Sequence, residues 1–587
     1  MISRSLPTRA LVAVVVAALA VVLSSCVAVP REGPVVAARI GSQNPAGPVY
    51  NPPPPTPGAE PAEIVAGFLE AMTATPLRPG PAKQFLTTQA SGEWHPRRVL
   101  VFDRHTTPFG QRHVEMRLRG ADLIGANGRW RGRISRDRAR ITFPMTHENG
   151  QWRIAAAPNE VYLQRDFYEQ NYTSQDTSQS TSLYFFDPTG RILVPEPVHV
   201  PQGSQLATAL VKGLLRGASP RGRVNRSYFP RGLAVSLSVP VHKGVAQVSL
   251  SGPSAAPLSP QTTQKMLAQL AWTLRQDPSI TTFTLTVAGH VVTDSSGAST
   301  FPVASTEFDR YDPAGRASSQ TYALRHDRLV SGPLNHLTKV IGPFGTEDLG
   351  IGPFAVSLDS LTVAAIGQRA LRIGPVLFPG QSVVVQSGPG LLPPAWDFAK
   401  RAWEVQNGPD GASVAYFTSG HRHAVHVRGV SGQSVRRFLV SRDGSRFIAV
   451  LRGSSADRIV VSRIRYDSDG RVTGSSRAQP IGWESSGTNR ITDIGWTTPT
   501  TIAVLDQASA FQAEVRILNV DGSTRAGRVS PIAIQGRGRH LFTSPGGETA
   551  YVVVSSQSSG LTLANISPAE TNRTLPIPQL HHLTYAG

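Results

Sequence analysis

Apolar residues recur at helical spacing soon after Pro61, where Ile64, Val65, Phe68, Leu69 and Met72 mark one face, and Ala82 to Gln89 is a second short helical candidate. The period then changes to two. Val114, Met116 and Leu118 alternate with His113, Glu115 and Arg117, and Asn127-Gly128 and Asn149-Gly150 are hairpin signals between β-rich runs that end in Trp152-Arg153-Ile154. Residues 170–182 are rich in Ser, Thr and Gln and read as a linker or exposed loop. Beyond it, Leu183 to Phe186 predicts a strand, Asp187 to Gly190 a turn, and Arg191 to Val194 a second strand. Leu206, Ala209, Leu210, Leu214 and Leu215 predict a helix with Gly217 as its stop. Strands follow at 233–237 and 245–250, then a helix through Met266, Leu267, Leu270, Ala271 and Leu274, then a closing strand at 283–287.

From about residue 320 one unit repeats: a small or polar turn followed by a short apolar strand. The turns begin at Ser357, Gly408, Ser441, Gly495 and Ser544, spaced 51, 33, 54 and 49 residues apart. Such a period, near 40–50, is that of four-stranded propeller blades, and five or six fit the space. A β-sandwich is the competing architecture, because it too has short strands separated by turns.

The amino terminus changes the picture. Arg4 and Arg9 precede an uncharged apolar run from Ala10 to Leu23, the length of a signal-peptide core and short for a membrane span. The run ends in Leu23-Ser24-Ser25-Cys26, which resembles the bacterial lipobox; that resemblance implies cleavage before Cys26 and its conversion to an N-palmitoyl, S-diacylglycerol cysteine. An ordinary signal peptide or an uncleaved anchor helix are the alternatives. Cys26 is the one cysteine of the chain, so no intramolecular disulfide and no cysteine-based metal site is available. Residues 27–60 carry Pro30, Pro34, Pro45, Pro48, Pro52 to Pro55 and Pro57 and predict an extended spacer reaching about 100 Å.

Charge narrows the partners. The 587 residues hold 58 Lys+Arg against 39 Asp+Glu, a formal net charge of +19, and 52 of the bases are Arg. An exported chain meets no chromosome, so nucleic acid is excluded in favour of anionic lipid, wall polymer or an acidic protein face. Between Glu196 and Asp277 there is no acidic residue, and Arg216, Arg221, Arg223, Arg226 and Arg231 crowd the loop after the predicted 206–215 helix. Guanidinium pairs with phosphate and carboxylate in two-pronged fashion, which makes this loop a candidate docking face, with a solvated loop as the plain alternative. Arg129 to Arg140 holds six arginines against Asp137, several on one face if the segment is a strand.

Signatures of chemistry are sparse. No Gly-x-Ser-x-Gly, His-Glu-x-x-His, phosphate-binding loop or complete calcium loop occurs. His421, His423 and His426 do not share one strand face, Asp467-Ser468-Asp469-Gly470 lacks the closing glutamate of a calcium loop, and His581-His582 sits where a propeller's closing strand is expected. No catalytic residue, metal or cofactor is assigned.

Two local resemblances join these readings. Helices followed by a curled antiparallel sheet ending on Trp152-Arg153-Ile154 resemble the nuclear-transport-factor-like cone. Tyr184-Phe185-Phe186-Asp187, Leu214-Leu215-Arg216-Gly217, Phe229-Pro230-Arg231-Gly232, Gly244 to Val248, Gln269 to Leu274 and Val287-Ala288-Gly289 resemble the GerMN domain of spore-germination and envelope proteins. The expected organisation is multidomain: signal peptide 1–25, lipidated Cys26 and tether 26–60, α+β domain 61–168, linker 169–182, GerMN-like α+β domain 183–292, linker 293–322 and all-β propeller 323–587. In that order the parts resemble the actinobacterial LpqB-type lipoproteins. The resemblance implies a non-enzymatic accessory of a sensor histidine kinase of MtrB type, on the outer face of the cell membrane, acting in envelope homeostasis and division. The competing functions are a propeller-borne enzyme acting on envelope glycans or peptides, and a protein that binds an anionic wall polymer.

Overall fold

The structure, a computed structural model, describes residues 50–172, 180–217, 224–253, 258–312, 320–483, 490–523, 530–543, 550–556, 560–566, 574–577 and 580–587. Leu23, Ser24, Ser25 and Cys26 lie outside the described residues, as do Arg221 and Arg223. Asn44–Gly587 form one compact unit.

The spacer expected to run to residue 60 is already attached to the first domain over residues 50–60. Tyr50 and Thr75 exchange backbone hydrogen bonds of 3.1 and 2.9 Å, and the Gly58 N–H donates to Gln151 Oε1 at 2.7 Å. The expected spacer residues 27–49 lie outside the described residues.

Helix α1 (Pro61–Ala71) starts on a capping box in which the Glu60 N–H donates to Glu63 Oε2, and it buries Ile64, Val65, Phe68 and Leu69. The expected second helix is broken in two, α2 (Gly80–Lys83) and α3 (Thr88–Glu93). Between them Phe85 and Thr87 bridge to Ile154, and Thr87 Oγ1 then accepts from Ala90 N–H to start α3. The strands β1 (Arg98–Phe102), β4 (Asp122–Ile124), β5 (Trp130–Arg133) and β8 (Glu160–Gln164) form one sheet, and β2 (Arg104–His105), β3 (His113–Arg119), β6 (Arg140–Glu148) and β7 (Gln151–Ile154) a second. One antiparallel sheet was the expectation; instead β1 and β8 pair in parallel, Arg98 opposite Glu160. The 57 residues 103–159 supply the long crossover that a parallel pair demands. Val114, Met116 and Leu118 face the core as their alternation requires. Helix α4 (Arg165–Tyr172) closes the domain and buries Tyr168 and Tyr172, so the chain expected to be linker from 169 is still core.

The second domain opens with a hairpin of β9 (Ser182–Phe186) and β10 (Leu193–Pro197), its turn fixed by the Asp187 carboxylate accepting from the N–H groups of Thr189, Arg191 and Ile192. Helix α5 (Leu206–Leu215) stops at Gly217, φ 76°. Strands β11 (Ala234–Val235), β12 (Val241–His242), β13 (Val245–Ser251), β14 (Thr282–Val287), β15 (His290–Val291) and β16 (Thr300–Pro302) make a mixed sheet, with α6 (Pro260–Leu274) crossing between the parallel pair β13 and β14. The strand expected to close the sheet, β14, lies inside it. Phe301, Val303, Phe308 and Tyr311 join this core, so it extends to Tyr311 and takes up residues 300–311 of the expected linker.

Six sheets follow in a ring. Their inner strands, His581–Tyr585, Ile351–Val356, Ala395–Trp396, Val435–Val440, Ile491–Thr498 and Arg537–Thr543, touch in that cyclic order and return to the first. We number the blades by them: blade 1 is 321–339 with 581–585, blade 2 351–387, blade 3 395–424, blade 4 435–481, blade 5 491–535 and blade 6 537–576. The C-terminal strand pairs with Thr321–Arg325, Thr321 opposite Tyr585, which ties the two ends of the propeller together. The second strand of blade 4, Arg446–Leu451, is buried at every position, because each blade has a neighbour on both faces. In blade 3 the structure departs from the expected phase of the repeat by one hairpin. Gly408–Gly411 joins its second and third strands, and the turn equivalent to Ser357–Leu361 and Ser441–Ser445 is Asp397–Arg401. With 397 in place of 408 the spacings 51 and 33 become 40 and 44, and the period evens out.

Candidate functional site

Two small polar networks, each drawing side chains from all three domains, meet along the end of β10 and the segment that leaves it. Glu196 is the centre of the first. The Arg463 guanidinium of blade 4 pairs with its Oε1, Arg129 of the first domain stands 3.7 Å from its Oε2, and Asn225 Nδ2 donates to Oε1 at 3.0 Å. Next to it Arg446, 2% exposed, donates to the Pro195 carbonyl at 2.5 Å. Burial alone would raise the Glu196 pKa, but Arg463, Arg129 and Arg446 together hold it below the usual carboxylate range. Burial, helped by Arg463, pushes Arg446 down to about 10, which leaves it charged at neutral pH.

His199 is the centre of the second network. Tyr168 Oη on α4 lies 2.6 Å from His199 Nδ1, and His199 Nε2 lies 2.9 Å from Asp521 Oδ2, in the turn after the third strand of blade 5. A carboxylate only accepts, so Nε2 carries a hydrogen that it donates to Asp521, and Nδ1 shares the second hydrogen bond with the Tyr168 hydroxyl. Burial would raise Asp521, and the His199 hydrogen bond with the Ser523 hydroxyl and N–H brings it below the ordinary value. Burial pushes the Tyr168 phenol far up. The His199 N–H donates to the Gly128 carbonyl at 2.7 Å, and the Trp130 ring centre is 5.4 Å from the imidazole, so both networks share the 125–130 turn of the first domain.

Further hydrogen bonds sew the same seam. Gln205 Oε1 accepts from Leu77 N–H at 3.1 Å while its Nε2 donates to Leu77 O at 2.9 Å, and Ser180 Oγ donates to Asn519 Oδ1 at 3.0 Å. The Tyr168–His199–Asp521 order of hydroxyl, imidazole and carboxylate matches that of a hydrolytic triad. Its hydroxyl is fully buried and already hydrogen-bonded to His199, so the arrangement fastens domains and does not present a nucleophile to a substrate. Charge-assisted bonds held out of water make the docked arrangement specific, since a wrong pose would leave these charges unpaired.

The order of domains is matched by comparison with known proteins. Residues 54–169 match the family described as Lipoprotein LpqB, N-terminal domain, residues 182–293 match Sporulation and spore germination, and residues 327–557 match Lipoprotein LpqB beta-propeller domain. Lipoprotein LpqB of Thermobifida fusca is 27% identical over 520 residues, 78% of this chain and 82% of that protein; Lipoprotein LpqB of Mycolicibacterium smegmatis is 29% identical over 506 residues, 79% and 81%. The chain belongs to the LpqB lipoproteins. Solved structures similar to it include TolB from Acinetobacter baumannii, TM-score 0.33 and 12% identity over 57% of this chain and 88% of that one, and the nidogen/laminin complex, TM-score 0.33 and 13% identity over 46% and 98%. No helix among the described residues is long and apolar enough to cross a membrane.

In this LpqB-type chain the Arg-rich loop is not a single cluster among its described members. Arg216 reaches the first domain, its Nη1 donating to Ala126 O, while Arg226 lies over the Tyr228 ring at 4.7 Å, and these two and Arg231 are exposed. The 129–140 arginines are divided among the turn before β5, β5 itself, the next turn and β6, and three are paired: Arg129 with Glu196, Arg133 with Asp122 and Arg138 with Glu160. His421 and His423 lie on the outer strand of blade 3, His423 stacked on Tyr416; Asp467–Gly470 is a turn whose Gly470 carbonyl accepts from Arg401. Glu196, His199, Arg446, Arg463, Asp521 and Tyr168 were not singled out from sequence. The one signal was Glu196 itself, the last acid before eighty residues without another.

Proposed function

We propose that this chain is a lipid-anchored, extracytoplasmic, non-catalytic accessory of a sensor histidine kinase of MtrB type. The observation that carries the reading is the sole cysteine, Cys26, closing an apolar run of signal-peptide length in a chain whose relatives are named lipoproteins. Acyl chains on Cys26 confine the protein to the membrane plane and raise its effective concentration at the sensor's outer domain. Contacts that differ between two states of the sensor then bias its equilibrium. The three domains, fastened along one polar seam, act on the partner as one body.

Crosslinking from the anchored protein in cells, followed by identification of the trapped neighbour, is expected to recover a sensor kinase. Recovery of wall polymer alone overturns the partnership. Replacing Cys26 with Ala is expected to abolish acylation and release the protein from membranes, and acylated protein persisting in that variant ends the anchor.

A further inference from the structure

Twelve large apolar side chains stand exposed among the described residues, and six of them belong to blade 2 and the segment that leads into it: Ile341, Leu361, Leu377, Phe378, Val383 and Val384. The backbone joins them. Val376 N–H donates to Leu361 O, Gly342 N–H donates to Val376 O, and Val383 lies opposite Ile373 on the outermost strand of blade 2, Val383–Ser387. That strand has a partner on one side only and carries no charge or proline, the usual guards of a free edge. Leu377-Phe378-Pro379-Gly380 is an exposed loop beside it, with Phe378 58% exposed. A cluster of this kind on a folded surface marks an interaction site.

Charge decides among occupants. No carboxylate occurs between Asp359 and Asp397, while Lys339 lies two residues from Ile341, Arg372 lies opposite Val384, and Arg369 is exposed in the turn that precedes that strand, its carbonyl accepting from Gly388 N–H just past the outermost strand. A second copy of this edge would set the same cations and the same carboxylate-free segment, residues 360–396, against each other. An anionic phospholipid surface answers both halves of the surface, phosphate for the cations and acyl chains for the loop.

We propose that the outer edge of blade 2 docks on an anionic bilayer, with Leu377 and Phe378 entering the headgroup boundary and Lys339, Arg369 and Arg372 facing phosphate. This deepens the membrane placement of the preceding subsection, since it sets how the tethered body lies on its membrane. The test uses residues 44–587, the compact unit without Cys26, so its failure leaves the lipid anchor standing. Flotation with phosphatidylglycerol vesicles is expected to carry the protein at low salt, and flotation with phosphatidylcholine vesicles is not. The pair Leu377→Ser and Phe378→Ser is expected to weaken vesicle binding by at least about tenfold, and Arg369→Gln or Arg372→Gln by about fivefold each in a salt-dependent way. Near-ultraviolet circular dichroism confirms that the variants are folded. Equal binding to both vesicle types overturns the proposal, as does retained binding by the folded Ser pair. Sedimentation that shows a dimer broken by the Ser pair also overturns it, and assigns the edge to a second copy.

Discussion

The seam between the domains and the outer edge of blade 2 invert the usual placement of polar and apolar groups. At the seam, Glu196, Arg446, His199 and Tyr168 are buried where a hydrophobic interface would be commonplace; on blade 2, Phe378, Val383 and Val384 face solvent where Lys or Glu would be ordinary. The difference lies in what each surface must specify. Apolar contact tolerates sliding, whereas a carboxylate set against Arg129 and Arg463 tolerates one pose. An exposed apolar edge has no such internal task, and its worth lies in what it leaves uncovered.

The largest effect that would sharpen this comparison is at Glu196. Glu196→Ala strands Arg129 and Arg463 without their carboxylate and is expected to cost about 3–5 kcal/mol, read from chemical unfolding. A loss below about 1 kcal/mol, the scale of a surface pair, would place the seam with surface ion pairs and break the contrast. A smaller loss, about 1–3 kcal/mol, is expected of Asp521→Asn at neutral pH, since the replacement leaves the His199 bond weaker. The Asp521 carboxyl titrates below its unfolded value, so its contribution is full above about pH 4 and disappears as pH falls through the folded pKa. Unfolding curves for wild type and the Asn variant should therefore converge on acidification; a gap unchanged down to pH 3 would deny the ionic character of the seam. The smallest effect is at the blade edge. Leu377→Ser with Phe378→Ser should alter stability by less than about 0.5 kcal/mol, because exposed side chains have little packing to lose. A large loss would mean that these residues support the fold.

Much of the architecture was written in local pattern. The alternation at Val114, Met116 and Leu118, the helical face from Ile64 to Leu69, and the stop at Gly217 each depend on neighbours a few residues away, and each lies where the pattern placed it. The break at Phe85–Thr87 did not, because it is made by Ile154, nearly seventy residues on, which takes the backbone bonds a continuous helix would have used. Phase in blade 3 was missed for a different reason. Gly408-Pro409-Asp410-Gly411 is a stronger turn sequence than Asp397-Phe398-Ala399-Lys400, but the inner hairpin is set by where the short strand Ala395–Trp396 packs in the ring. The seam was hidden altogether, because Glu196 meets Arg463 across 267 residues and His199 meets Asp521 across 322.

By itself the sequence determined the period of each segment, the order of three domains behind a proline-rich lead, the positive charge and the placement of the single cysteine, all of them properties of neighbouring residues or of sums over the chain. Only the tertiary structure decided that β1 pairs with β8, that the last strand closes the ring beside Thr321–Arg325, and which few of the 58 cations are spent inside the molecule. A strand's partner and a buried charge's counterion are chosen by chain segments far apart in sequence, and their energies exist only once the chain has brought those segments together.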